Sequence, residues 1–334
     1  MPGFAAFASH APSRIVTNEQ LPVQFTEPNG KLKDIKGLTG IESRRIAVGE
    51  TITSMGVEVV LQLLTALGIR IQDCGGLILS TCALDADHQA HLLADAIGLP
   101  HDRYVRGIND ACTGFVSATQ AGNALAKTTD RPILVIASDK TSDLTDFSDP
   151  QTAILFGDGA AGGMIAPDGR DRILDVFSRV LPNWPNILGL RDAPEAMDIH
   201  GNKSRRKCIH MPGGLTLYRK VPDMMVDFIL EGVRRAGILN EDVKDVYSHH
   251  ANGNILERMK ESFLRKGWMK PPMVANRILH MGNMGSVSIA RLLADLPAGP
   301  ARIAACPAVG AAPDLANSGE LTGGNIIIAL AQRE

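Results

Sequence analysis

Asn109-Asp-Ala-Cys112-Thr-Gly-Phe-Val-Ser-Ala-Thr-Gln-Ala-Gly122 is the stretch on which the fold and the chemistry of this chain turn. A short polar turn runs into small and apolar residues, with Cys112 at the change. The pattern predicts a helix that starts at Cys112, and Ala118, Ala121 and Gly122 let it lie deep between sheets. A cysteine at a helix N-terminus sits at the positive end of the dipole, beside unpaired N–H groups, and both favour the nucleophilic thiolate. A buried free cysteine is also an ordinary packing residue. This segment alone leaves both readings open.

Working outward, apolar strands alternate with helices. Thr51–Leu67 reads as a helix capped by its first threonine, Gly75–Ser80 as a buried strand and Asp85–Gly98 as a second helix. Pro132–Ser138 and Ile154–Phe156 read as strands. Pro222–Ala236 reads as an amphipathic helix ended by Gly237, and Ala301–Ala305 and Ile326–Ala331 as closing strands. Such alternation indicates an α/β architecture with sheets covered on both faces. Between Pro167 and Arg205 the prolines and glycines interrupt any period, so this stretch is expected as loop, with a half-boundary near residue 170. Arg205-Arg206-Lys207 falls at its end and reads as a solvated face rather than a patch for an acidic partner.

The bulk properties exclude several classes. The chain has 334 residues, 45% hydrophobic and 21% charged, with a formal charge of −2. That balance lacks the electrostatic footprint of a nucleic-acid binder. The five cysteines, Cys74, Cys82, Cys112, Cys208 and Cys306, show no Cys-x-x-Cys spacing, which argues against a disulfide framework or a zinc site and for a reducing compartment. No long apolar run and no signal-peptide pattern is evident, so a cytoplasmic protein is expected.

Isolated motifs carry little. Gly157-Asp-Gly159-Ala-Ala-Gly162 matches a dinucleotide fingerprint as a string, but the residues after it read as a strand where the fingerprint needs a helix, so a tight turn is expected. His88-x-x-His91 lacks a glutamate and a third ligand and reads as surface. A nucleophilic cysteine needs a proton acceptor and donors for developing oxyanion charge. Ser248-His249-His250-Ala251-Asn252 and His280-Met-Gly282-Asn283-Met-Gly285-Ser286 hold candidates, although each taken singly reads as core or turn.

Together these segments resemble β-ketoacyl-acyl-carrier-protein synthase III, of the thiolase-like superfamily. Cys112 in Ala-Cys-Thr-Gly-Phe, His249 in His-His-Ala-Asn and Asn283 in Gly-Asn-Met-Gly-Ser agree in order and spacing. Further similar stretches are Pro12–Asn18, Thr39-Gly40-Ile41-Glu-Ser-Arg44-Arg45, Phe156–Ala161, Met211-Pro-Gly213 and Gly319-Glu-Leu-Thr322-Gly-Gly324. The resemblance implies a five-layered α-β-α-β-α fold of two pseudo-symmetric halves, 1–170 and 171–334, usually a homodimer. It implies that Cys112, His249 and Asn283 are catalytic, and that the backbone N–H groups of Cys112 and Gly319 form an oxyanion hole. It implies acyl transfer to Cys112 from a thioester carried by coenzyme A or acyl carrier protein, then decarboxylative condensation with a malonyl-type thioester. No metal and no further cofactor is implied.

Four departures from the family pattern bear on the carrier. Asp34 and Pro150 stand where the family has a Trp and an Arg that sandwich the adenine of coenzyme A, Leu38 and Asn254 replace arginines, and Thr322-Gly323-Gly324 replaces Thr-Trp-Gly. These point to a specialised biosynthetic branch. Three other readings remain: a non-decarboxylating acyltransferase of this fold, a cysteine-dependent thioester hydrolase, and a weakly active subunit of a heterodimeric synthase.

Overall fold

The computed structural model describes residues 1–182, 184, 187–311 and 320–333. The first half contains β1 (Gly3–His10), β2 (Arg14–Thr17), α1 (Ile35–Thr39), β3 (Ser43–Ile46), α2 (Ile52–Leu67), β4 (Gly76–Ser80), α3 (Ala86–Ala96), β5 (Tyr104–Ile108), α4 (Gly114–Thr129), β6 (Ile133–Asp139) and β7 (Gly159–Ala166). The second contains β8 (Asp171–Leu181), β9 (Gly189–Met197), β10 (Lys203–His210), α5 (Gly214–Ala236), β11 (Val243–Val246), α6 (Gly253–Arg265), β12 (Met273–Val274), α7 (Val287–Ala294), β13 (Arg302–Ala305), β14 (Ala308–Gly310) and β15 (Leu321–Leu330).

The hydrogen-bonded order is β12-β11-β13-β15-β8-β1-β7-β6-β4-β5, with β14 added to β15. Numbering the five main strands of each half in chain order, both halves read 3-2-4-5-1 from the free edge inward. In each, strand 2 is parallel to strands 3 and 4, and strand 5 is antiparallel to both its neighbours. Within the sheet, β1 and β8 join the halves through the pairs Gly3–Arg172 and Phe4–Asp171. The chain is therefore a structural duplication.

Helices complete five layers. α2 packs on β1, β6 and β7, and α3 on β4 and β5; α5 packs on β15 and β8 with α6 beside it. Between the sheets, α4 touches strands of both halves and α7 lies against α4. The central core joins Phe115, Val116 and Ala118 of α4 and Val287 and Ile289 of α7 to Ile78 and Ile165 on one side and Ala304 and Ile326 on the other. The five-layered α-β-α-β-α arrangement implied by the resemblance is the one observed.

Local chemistry explains several elements. Thr51 caps α2, its Oγ1 accepting from Ser54 N at 3.0 Å while Ser54 Oγ accepts from Thr51 N at 2.8 Å. A reciprocal cap of this kind contributes about 1 kcal/mol. Gly237 ends α5 in the left-handed conformation, with φ 68°.

Three expectations fail. Ile154 and Leu155 lie in turns rather than a strand, and Phe156 makes only a bridge to Asn283. The α5 helix begins at Gly214, eight residues before the proline expected to open it, so Pro222 lies inside the helix. Its apolar ring is buried, which offsets part of the lost hydrogen bond. The stretch expected as loop between Pro167 and Arg205 holds β8, β9 and the start of β10. Its strands are half-exposed and carry charged residues, so the hydrophobic pattern that marks buried strands is missing. Arg205 and Lys207 do face solvent, from a strand rather than a loop.

Candidate active site

The site lies at the carboxyl ends of the parallel strands, where open α/β sheets place ligands. β4 runs into Cys82, β5 into Cys112, β11 into His249 and β12 into the Asn283 loop. Because the halves share one topology, Cys82 and His249 hold equivalent positions, as do Cys112 and Asn283. Cys82, Cys112, His249 and Asn283 line one cavity of about 1100 Å³, its open mouth included. The three residues singled out in the sequence are thus brought together.

Cys112 sits in a 3-10 turn, Ala111–Thr113, that runs into α4. Ala111 has a φ of 43°, in the left-handed region, which costs on the order of 1 kcal/mol for a residue with a Cβ. The turn is held from several sides. Ala111 N donates to Asn109 Oδ1 at 3.2 Å and Thr113 N to Asp110 O at 3.0 Å. Thr322 Oγ1 lies 3.1 Å from both Asp110 O and Thr113 Oγ1 and 3.2 Å from Gly310 O, which ties the nucleophile turn to the second half. Gly310 is pressed against the turn, and a Cβ there would fall 2.7 Å from Cys112 N.

The helix-terminus expectation of a thiolate is overturned. Burial, with the Asp139 carboxylate adding to it, pushes the Cys112 thiol up to about 12. Removing solvent from a charge costs more here than the dipole returns. Cys112 nevertheless keeps part of its surface open to the cavity.

The two adjacent histidines play different parts. His250 Nδ1 lies 2.9 Å from Ser248 O and its Nε2 accepts from Arg277 N at 2.9 Å, so both ring nitrogens are used. That pattern fixes the neutral Nδ1–H tautomer. His249 lines the cavity, and its Nδ1 is buried without a partner. Burial first, then the neighbouring His250, hold its pKa down to about 3, against an opposing contribution from the Gly285 backbone. The resting pair is therefore a neutral thiol and a neutral imidazole.

Asn283 is fixed by its backbone: N donates to Leu155 O at 2.8 Å and O accepts from Gly157 N at 3.0 Å. Its Oδ1 accepts from Gly285 N at 3.0 Å, which leaves the Nδ2 donors without a protein acceptor among the described residues. Gly285, with φ 54°, is required here, because a Cβ would meet Asp139 Oδ2 at 2.6 Å and Cys82 Sγ at 2.9 Å. Gly319, expected in the oxyanion hole, lies outside the described residues.

Asp139 and Gly310 were not singled out in the sequence. Asp139 is fully buried and accepts from Cys82 N at 2.5 Å, Ser286 N at 2.7 Å and Ser286 Oγ at 2.8 Å. It ties the Cys82 loop to the loop carrying Asn283, and burial raises its pKa. An acid at the end of the all-apolar run Ile133–Ala137 was the signal available for it. Arg44 of the Thr-Gly-Ile motif is also fully buried, donating to Asn18 Oδ1 and Ile154 O at 2.9 Å. The Gly157–Gly162 string forms a turn into β7, and Asp158 clamps that turn by accepting from Ala47 N and Ser142 N at 2.9 Å. His88 and His91 are exposed. Among the described residues no group of three or more His, Cys, Asp or Glu could hold a metal, and no helix is long and apolar enough to cross a membrane.

The chain is similar to known proteins along most of its length. Residues 107–180 match the family model of 3-oxoacyl-[acyl-carrier-protein (ACP)] synthase III. The β-ketoacyl-[acyl-carrier-protein] synthase III of Campylobacter curvus is 27% identical over 299 residues, covering 87% of this chain and 86% of the relative. That of Gloeobacter violaceus is 28% identical over 293 residues, covering 84% and 85%. Among solved structures, the synthase III of Pseudomonas aeruginosa PAO1 superposes with a TM-score of 0.80 at 20% identity, covering 100% and 99%. The priming β-ketosynthase of the R1128 polyketide pathway does so with 0.80 at 22%, covering 100% and 97%. The fold is thus thiolase-like, and in sequence the chain is similar to β-ketoacyl-[acyl-carrier-protein] synthase III along most of its length.

Proposed function

We propose that this chain is an acyl-thioester condensing enzyme, acylated on Cys112 and then joining that acyl group to a malonyl-type thioester. The observation that carries the reading is the convergence of Cys112, His249 and the unpartnered Asn283 amide on one cavity, from three loops at strand ends.

The neutral pair sets how acylation proceeds. With a thiol near 12 and an imidazole near 3, forming the ion pair before attack is strongly uphill. The Cys112 proton therefore passes to His249 as Sγ attacks the thioester carbonyl, and from His249 to the departing carrier thiolate. The Cys112 N–H stabilises the oxyanion. In the second half-reaction the malonyl C–CO₂ bond breaks and CO₂ leaves. Its electron pair moves onto the α-carbon and thioester oxygen, where an imidazole N–H and the Asn283 Nδ2–H donate to the developing charge. The carbanion attacks the acyl carbonyl, the C–S bond to Cys112 breaks, and the freed thiolate takes a proton from solvent.

Coenzyme A or acyl carrier protein serves as carrier of substrate, with no further cofactor, and the active form is a homodimer. The changed carrier-facing positions support a specialised branch. The Asp34 carboxylate is engaged in capping α1 through Gly37 N at 2.9 Å. Asn254 Nδ2 bonds the carbonyl oxygens of Gly37 and Leu38 at 3.1 and 3.0 Å. Neither position offers a cation.

Intact-mass spectrometry after exposure to a panel of acyl-CoAs and acyl carrier proteins tests the reading. The expected result is one acyl mass added at Cys112, absent from Cys112→Ala, followed by a β-ketoacyl thioester when malonyl thioester is supplied. Release of free acid alone, or no adduct from any donor, overturns it.

A further inference from the structure

Among the described residues, the cavity that holds Cys112 has no lysine or arginine in its lining. Both thioester carriers attach their acyl group through a pantetheine arm that ends in a phosphate. A substrate with its sulfur at Cys112 therefore needs its anion met outside the cavity.

The course of α6 shows where. His249 before the helix, Asn252 at its cap and Ile255 in its first turn all line the cavity, at intervals of three residues. The next residue in that series is Arg258. At 1.5 Å per residue it lies roughly 9 Å along the helix from Asn252 and one turn beyond Ile255. Its guanidinium sits over the ring of Tyr218, with Cζ 5.0 Å from the ring centroid, and Tyr218 lines the cavity from α5.

The charge on Arg258 is unanswered. Of the other cations on α6 and just after it, Lys260 meets Glu257, Arg265 meets Asp223, and Lys266 meets Asp227, at 2.6–2.7 Å. Arg258 meets no carboxylate within 4.0 Å among the described residues, and its Nε is buried without a partner. Stacking on an aromatic ring holds a guanidinium plane in place and leaves its outer N–H edge free to take two oxygens of one anion.

We infer that Arg258, seated on Tyr218 beside the cavity, binds the phosphate at the far end of the pantetheine arm. The inference rests on the thioester-carrier reading above and adds a phosphate subsite specific to this chain. Tyr218 is a positioning residue here, because it touches Arg258 and the cavity but not the anion.

Calorimetry on the full chain reads the subsite without any chemistry. Pantetheine, 4′-phosphopantetheine and coenzyme A are titrated into the wild type and into Arg258→Ala and Arg258→Lys. The wild type is expected to bind 4′-phosphopantetheine at least tenfold tighter than pantetheine, in line with a charge-assisted pair. Arg258→Ala should lose that preference with pantetheine affinity within twofold of wild type, and Arg258→Lys should recover part of it. Equal affinity of the wild type for pantetheine and 4′-phosphopantetheine overturns the inference. So does an equal loss of both in Arg258→Ala, which would mark Arg258 as a brace for Tyr218.

Acyl transfer to Cys112 then separates the sources of the phosphate. Acyl-pantetheine should load the wild type and Arg258→Ala at rates within twofold. A tenfold or greater loss confined to acyl-CoA assigns a free nucleotide carrier, and one confined to acyl carrier protein assigns a protein-borne arm. A loss as large with acyl-pantetheine overturns the subsite. A wild type that binds phosphopantetheine but accepts no acyl group overturns the condensing-enzyme reading and leaves the subsite standing.

Discussion

Replacing Asn283 separates the two half-reactions. Its backbone bonds to Leu155 and Gly157 do not involve the side chain, so Asn283→Ala keeps the loop in place. Among the described residues the side chain makes one protein hydrogen bond, Oδ1 accepting from Gly285 N at 3.0 Å, whose loss costs about 1 kcal/mol of stability. What the cavity loses is the Nδ2 donor. If that donor faces the oxyanion of the decarboxylation step, its removal slows condensation by about 10²–10³-fold, or roughly 3–4 kcal/mol. Acylation of Cys112 does not use it and should stay within about threefold of wild type. Asn283→Asp is the companion variant: it keeps the acceptor for Gly285 N but presents a carboxylate where the donor was, so it should be at least as slow in condensation. Intact mass reads the acyl-enzyme, and CO₂ release from carboxyl-labelled malonyl thioester reads the second step. Condensation at wild-type rate in Asn283→Ala refutes the assigned role. Loss of both steps together would show instead that the side chain holds the site's shape.

Other consequences can be measured directly. Because burial holds the Cys112 thiol near 12, alkylation of Cys112 by iodoacetamide, mapped by peptide mass, should rise about tenfold per pH unit from pH 7 to 10; a plateau below pH 8 would show a preformed thiolate. His249, held near 3, stays neutral in the folded protein while the unfolded chain takes up a proton near 6.5. Stability is therefore lost as pH falls below 6.5, by about 2 kcal/mol at pH 5 from this group. The urea midpoint of His249→Gln should accordingly fall less than that of wild type between pH 7 and 5, and parallel profiles would contradict the burial argument. Gly310→Ala places a Cβ 2.7 Å from Cys112 N, so it should cost about 1–3 kcal/mol and slow acylation at least tenfold; an unchanged melting temperature and unchanged loading would mean the turn can shift freely.

Features written in local chemistry were legible in the sequence. The Thr51 cap, the Gly237 stop and the Gly157-Asp-Gly159 turn follow from backbone rules acting over a few residues. Cys112, His249 and Asn283 could be picked out because their motifs come in a fixed order, not because any one of them is distinctive. What escaped depends on neighbours far away in the chain. Gly310 matters because another half of the molecule lies within van der Waals contact of it. The rise in the Cys112 pKa comes from burial and from Asp139, 27 positions away, and the helix start visible in the sequence predicted the opposite sign. The β9–β10 hairpin buries a cluster of only Ala193, Ala196 and Cys208, too small a set to leave a periodic signature.

Two copies of one topology, fused in tandem, give every loop of the site a counterpart across a pseudo-dyad. A symmetric ancestor would have shown the same side chain twice around one hole. Here the twins have diverged: a thiol faces a carboxamide at one pair of places, and a thiol faces an imidazole at the other. Division of labour between half-reactions thus becomes a matter of which twin mutated, with no rebuilding of the frame. It also means that neither half, cut free, would carry a complete set of tools.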